Sequence, residues 1–262
     1  MLKIFDGWGV LLYTFALMFG RAWLILLVLL LGCQAQAKVV IPAHQGENPK
    51  MSTLNAQSGQ NARVRYLALG DSYTSGESVA ESERWPVQLV ERLRQQGFDV
   101  EDAQIVAHNG WSTGDLAAGI EQAGINPPYD LVSLLIGVNN QFRGYSREDY
   151  REEFAALLEQ SIAFADGNPQ RVFVLSIPDW GMTPFAGGAD QGAIAADIDA
   201  FNAINRAESE RRGVYYIDIT PLSRQANGDL SLIAEDGLHP SGKMYTGWVE
   251  LALPAAVEAL EP

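Results

Sequence analysis

The chain of 262 residues contains one cysteine and three histidines. Without a second cysteine the folded part has no disulfide. Basic residues are scarce beside acidic ones, 18 Lys and Arg against 32 Asp and Glu, for a formal net charge of −14. Such a surface repels phosphate backbones, so nucleic acid is not an expected partner. Runs of like charge and internal repeats are also missing, which sets aside charged tails and solenoids. So is a long uninterrupted apolar run. Residues 7–20 and 22–32 are apolar, but Arg21 divides them. Each piece falls short of the roughly 20 residues that cross a bilayer. What is present is ordinary for a globular protein: 47% hydrophobic and 19% charged residues.

The second apolar run has the length of a signal-peptide core, with Arg21 as its positive flank, and Met18 offers an alternative start. Leu30-Leu31-Gly32-Cys33 closes it and resembles the lipobox of bacterial lipoproteins, although a small residue is more usual at the position of Leu31. That resemblance implies that Cys33 is lipidated and becomes the first residue of the mature chain. Several acyl chains on one cysteine anchor stably, whereas one is marginal. An uncleaved transmembrane anchor that tolerates Arg21 is the alternative. Residues 34–62 are rich in Gln, Asn, Ala and Ser without periodicity, and read as a flexible tether. A coil of that length reaches roughly 30 Å on average. The expected organisation is therefore a signal peptide over 1–32, a lipidated cysteine and tether over 33–62, and one folded domain over 63–262. The expected location is the bacterial cell envelope, on the periplasmic or extracellular side, anchored to a membrane (the outer one) by lipid.

Within the folded part, apolar runs alternate with helical patterns. Strands are expected at Arg63–Gly70, Ala103–Ala107, Asp130–Gly137, Arg171–Ile177 and Val214–Thr220. Helices are expected at Trp85–Gln96, Asp115–Gln122, Glu148–Ala165, Ala193–Arg211 and Gly242–Leu260, the last bent or interrupted at Pro254. Strand–helix alternation implies right-handed crossovers and a parallel sheet covered on both faces. The fold class is thus α/β, a three-layer α/β/α sandwich around a mainly five-stranded parallel sheet. Such folds place their sites at the carboxyl ends of strands. Four polar blocks sit there or just before the last helix.

Two of those blocks offer a serine among glycines. Gly110-Trp111-Ser112-Thr113-Gly114 fits the nucleophile-elbow pattern of α/β-hydrolases. Only two strands precede it, however, and no upstream His-Gly oxyanion motif is present. A capping serine before a helix explains Ser112 better. The other candidate is Ser72. Histidine is the usual base for a serine nucleophile. His44 lies in the tether and His108 directly precedes the second block, which leaves His239 as base. Asp236, three residues earlier, can orient it by binding the other ring nitrogen.

Gly70-Asp71-Ser72, Gly110 to Asp115, Gly137-Val138-Asn139-Asn140 and Asp236 to Pro240 occur in that order. Together they resemble the blocks of the SGNH, or GDSL-type, hydrolases over nearly the whole folded unit. The resemblance implies Ser72 as nucleophile with Asp236 and His239 as partners. It implies an oxyanion hole from the N–H groups of Ser72 and Gly114 and the Asn139 amide. Two positions depart from the family pattern: Tyr73 where leucine is usual, and Asn140 where an aspartate often follows the asparagine. The expected activity is ester hydrolysis through an acyl-enzyme, with neither metal nor cofactor. Small-molecule, lipid and acylated-glycan esters are the candidate substrates. Pro178 to Asp190 could shape the pocket through Trp180, Met182 and Phe185. The rival readings are an α/β-hydrolase using Ser112 and a non-catalytic envelope lipoprotein with an esterase-derived fold.

Overall fold

The computed structural model describes residues 63–261. The expected signal peptide, Cys33 and tether lie outside the described residues. Five parallel strands, β1 (Tyr66–Asp71), β2 (Gln104–His108), β3 (Leu131–Leu135), β4 (Val172–Leu175) and β5 (Tyr215–Ile217), form one sheet in the order β2-β1-β3-β4-β5. β1, β3 and β4 are buried along their whole length, as near-continuous apolar strands covered on both faces must be. The edge strands β2 and β5 are only partly buried.

The helices are α1 (Ser72–Ser75), α2 (Trp85–Gln95), α3 (Thr113–Gln122), α4 (Val138–Phe142), α5 (Arg147–Phe164), α6 (Gln191–Arg212), α7 (Thr220–Ser223) and α8 (Gly242–Leu260). α2 packs on α8 in one layer, and α3, α5 and α6 pack in succession in the other. Trp85 of α2 and Trp248 of α8 are fully buried, which makes that contact a large part of the core. The rings of Trp85 and Phe173 of β4 meet edge to face at 6.3 Å between centres, which ties the layer to the sheet.

Of the two outcomes expected at Pro254, a bend or an interruption, the interruption does not occur: α8 runs through it as one helix. Pro254 stands on the exposed side. Glu250, one turn earlier, is exposed as well, so water can serve the carbonyl that the proline deprives of its partner. The short helices α1, α4 and α7 have no counterpart in the hydrophobic periodicity, because four or five residues are too few to show a period of 3.6.

In this strand order the connections from β1 and β3 leave in opposite directions, opening a crevice between their carboxyl ends. The register aligns Gly70 of β1 with Leu135 of β3. The segments that follow the two strands therefore emerge side by side.

Candidate active site

β1 ends in Gly70-Asp71. A Cβ on Gly70 would lie 2.2 Å from Thr74 Oγ1 and 2.6 Å from the Leu135 carbonyl, so only glycine lets the chain turn here against β3. Asp71 is fully buried and caps α1, its Oδ1 accepting from the Tyr73 N–H at 3.0 Å. Ser72 is thereby fixed as the first residue of α1 and is 4% exposed. Beside it, Gly137 starts α4 at φ 125°, and a Cβ there would lie 2.3 Å from the Tyr150 hydroxyl. Asn139 follows within the first turn of α4. Its Nδ2 donates to the Trp111 carbonyl at 2.9 Å. A carboxamide nitrogen carries two hydrogens, so a second remains to be given.

Asp236 and His239 come from the turn before α8. Asp236 Oδ1 accepts from the N–H groups of Leu238 and His239, both at 2.9 Å. Its Oδ2 accepts from Ser78 Oγ at 2.7 Å and lies 2.5 Å from His239 Nδ1. Burial opposes ionisation of Asp236. The hydrogen bonds from Ser78, His239 and the two backbone amides outweigh it and hold the carboxyl well below the usual carboxylate range. An ionised partner assigns the proton of a neutral imidazole to Nδ1 and leaves Nε2 as the acceptor. The His239 ring packs against Tyr73 at 5.4 Å between centres.

Ser72, Asn109, Asn139 and His239 open on one cavity of about 100 Å³. Tyr73, Val138, Phe142, Trp180, Phe185 and Leu238 supply its apolar walls. Among the described residues no hydrogen bond joins Ser72 Oγ to His239, whose bonded ring nitrogen is Nδ1. Catalytic hydrogen bonds commonly tighten only with substrate in place. A larger hollow of about 730 Å³ beside α2, lined by Val87, Glu91 and Arg94 among others, contains none of these polar groups. Volume favours that hollow, but chemistry favours the smaller cavity.

The family model for GDSL-like lipases and acylhydrolases matches residues 68–246. The chain belongs to that family. As a GDSL-like acylhydrolase it is an ester-hydrolysing enzyme of α/β fold. Among solved structures it is similar to a lipase/acylhydrolase from Enterococcus faecalis, at 19% identity and TM-score 0.59, covering 76% of this chain and 98% of that one. It is similar to TesA at 19% identity and TM-score 0.57, covering 75% of this chain and 99% of the other. It also resembles Axe2, an acetylxylan esterase from Geobacillus stearothermophilus, at 17% identity and TM-score 0.55, covering 76% and 94% of the two chains. No curated protein matches it by sequence.

In this GDSL-like enzyme Ser112 is the N-cap of α3. Its backbone N–H and its hydroxyl both donate to Asp115 Oδ2, at 2.9 and 2.7 Å, and among the described residues no histidine bonds to it. His108 stands exposed at the end of β2, its ring stacked on Trp111 at 5.7 Å between centres. Gly114 is not among the cavity-lining residues. It is exposed in the first turn of α3, and its N–H has no acceptor among the described residues. Of the loop Pro178 to Asp190, Trp180 and Phe185 reach the cavity wall and Met182 does not. Gln141 fixes Trp180 by accepting from its indole N–H at 2.9 Å.

Sequence reasoning passed over Phe142 and Ser78. Phe142 lies three residues after Asn139, one helical turn along the same face, but a helix of five residues gives no periodic signal. Ser78 has φ +63°, a left-handed conformation that nothing in its neighbours announces. Among the described residues no group of three or more His, Cys, Asp and Glu side chains is placed to hold a metal.

Proposed function

We propose that the enzyme hydrolyses short-chain carboxylic esters by a serine mechanism. His239 Nε2 takes the proton of Ser72 Oγ as the oxygen attacks the ester carbonyl. The tetrahedral oxyanion is met by the N–H of Ser72 and the free hydrogen of Asn139 Nδ2, from two residues that line the cavity. Gly114, which does not line it, is the third donor on the family resemblance and on its N–H, which has no acceptor among the described residues. His239 returns the proton to the departing alcohol, and Asp236 stabilises the imidazolium in between. Water then cleaves the acyl-enzyme by the same route. The observation that carries this reading is the meeting of Ser72 and His239 on one cavity, with Asp236 bonded to Nδ1 on the far side of the ring.

A cavity of about 100 Å³ is small beside the roughly 300–1,000 Å³ typical of ligand pockets, which favours an acetyl or similarly short acyl group. An O-acetylated glycan therefore fits better than a lysophospholipid, and the similarity to an acetylxylan esterase runs the same way. Anchoring to the bacterial envelope through Cys33 belongs to the same proposal and rests on the lipobox-like sequence alone. Mass spectrometry of the mature protein should find Cys33 acylated; an unmodified thiol there removes the anchor.

Fluorophosphonate labelling tests the mechanism. The adduct should map to Ser72. Ser72→Ala should abolish labelling and reduce esterase activity to background, whereas Ser112→Ala should still be labelled. An adduct on Ser112 and none on Ser72 would overturn the reading.

A further inference from the structure

We infer that Asn140 is a positioning residue for the oxyanion hole and works as a matched pair with Glu153. The inference rests on the proposed reading of Ser72 and Asn139. Asn140 and Thr113 are both fully buried. Asn140 Oδ1 accepts from the Thr113 N–H at 3.0 Å, and Asn140 Nδ2 donates to Thr113 Oγ1 at 2.6 Å. Thr113 Oγ1 in turn donates to Glu153 Oε2. A backbone N–H can only donate, so the carboxamide oxygen must face it and the nitrogen must face the hydroxyl. The hydroxyl has one proton, and it points to Glu153. The chain runs one way, from amide to hydroxyl to carboxylate.

That direction accounts for the residue at 140. An aspartate there would bring no donor and would need the Thr113 proton that Glu153 already takes. Two carboxylates would then face one hydroxyl. Asparagine, the departure from the usual family pattern, removes the conflict.

The clamp reaches the chemistry through its neighbours. Asn139 binds the Trp111 carbonyl while Asn140 binds Thr113, so two successive side chains of α4 pin the entry of α3. That entry carries Gly114, and the Trp111 carbonyl occupies one hydrogen of the Asn139 amide and so aims the other. If the clamp slips, both donors lose register with the oxyanion. A misplacement of about 1 Å can cost on the order of 10²-fold in rate. The loss falls on kcat, because the substrate's ground state makes little use of these donors.

Asn140→Asp should lower kcat by about 10²-fold with little change in KM. The rate of fluorophosphonate labelling should fall with it. Adding Glu153→Gln should recover at least about tenfold of the loss. The glutamine amide then donates to Thr113 Oγ1, whose proton turns to Asp at 140, and the chain runs in reverse. Native kcat in Asn140→Asp, or no recovery in the double variant, would overturn the inference. Should Asn140→Asp fail to fold, Thr113→Val decides. It breaks the chain without adding charge and should lower kcat more than Thr113→Ser; equal rates in the two would likewise overturn it. Ser72→Ala in the same assays separates the two levels of argument. Surviving activity there would refute the nucleophile, whereas loss of activity there with a native Asn140→Asp refutes only the clamp.

Discussion

Asp71 offers the sharpest test of the electrostatics beside Ser72, the proposed nucleophile. Its carboxyl is fully buried, one oxygen caps α1, and Oδ2 has no hydrogen-bond partner. Burial pushes its pKa up from 3.8 to about 7, opposed only in part by the hydrogen bond from the Tyr73 N–H. The folded state therefore binds more protons than the unfolded chain between those two values, and stability falls as pH rises through the window. Some three pK units at 1.36 kcal/mol each make the loss about 4 kcal/mol, as an upper figure. Asp71→Asn keeps a good helix cap and carries no charge at any pH. Its buried amide nitrogen costs about 1–3 kcal/mol if unpartnered, but that cost is the same at every pH. The difference in urea-unfolding free energy between Asn and Asp chains, measured near pH 4 and near pH 8, isolates the titration. It should shift in favour of the Asn chain by up to about 4 kcal/mol between the two. An unchanged difference would show that the Asp71 carboxyl ionises as freely folded as unfolded, and the reasoning would fail.

Asp236→Asn should lower kcat by up to about four decades while KM moves little, because the imidazole loses its orienting acceptor. Unchanged kcat in a folded variant would remove Asp236 from the site. Among p-nitrophenyl esters, acetate and butyrate should be turned over faster than octanoate. Phe142→Ala, which opens the half-exposed aromatic wall packed 5.2 Å from Trp180, should narrow that gap. A chain-length profile that rises toward octanoate in the native enzyme would refute the short-acyl reading.

The sheet was legible because its central strands are buried on both faces and so appear as near-continuous apolar runs, as in Val172 to Leu175. The Asp236–His239 pair was legible because its geometry is local, three residues apart within one turn. Features made by distant segments were not. The bond from Ser78 to Asp236 spans 158 positions, and the bonds from Asn140 to Thr113 span 27. Composition and periodicity carry no trace of either. Tyr73 is a departure from the family pattern in sequence, but only the structure shows it as a ring packed between His239 and Trp248.

The bond from Ser78 to Asp236 is one of several stitches between the start and the end of the folded unit. Gln88 of α2 donates to the Gly242 carbonyl at 3.2 Å and accepts from Thr246 Oγ1 at 2.7 Å, and Arg92 pairs with Glu250. The proposed nucleophile, Ser72, and its proposed base, His239, thus belong to opposite ends of the unit, held together by the seam between α2 and α8. A cut at the exposed Gly228 would leave Ser72 and Asn139 on one fragment and the Asp236–His239 turn with all of α8 on the other. Neither fragment alone would hold both Ser72 and His239. Turnover would then report reassembly of the seam, with buried Trp248 as the wedge that must re-enter the core. The same seam that joins the Ser72 turn to the Asp236–His239 turn makes this enzyme a natural two-piece reporter of its own docking.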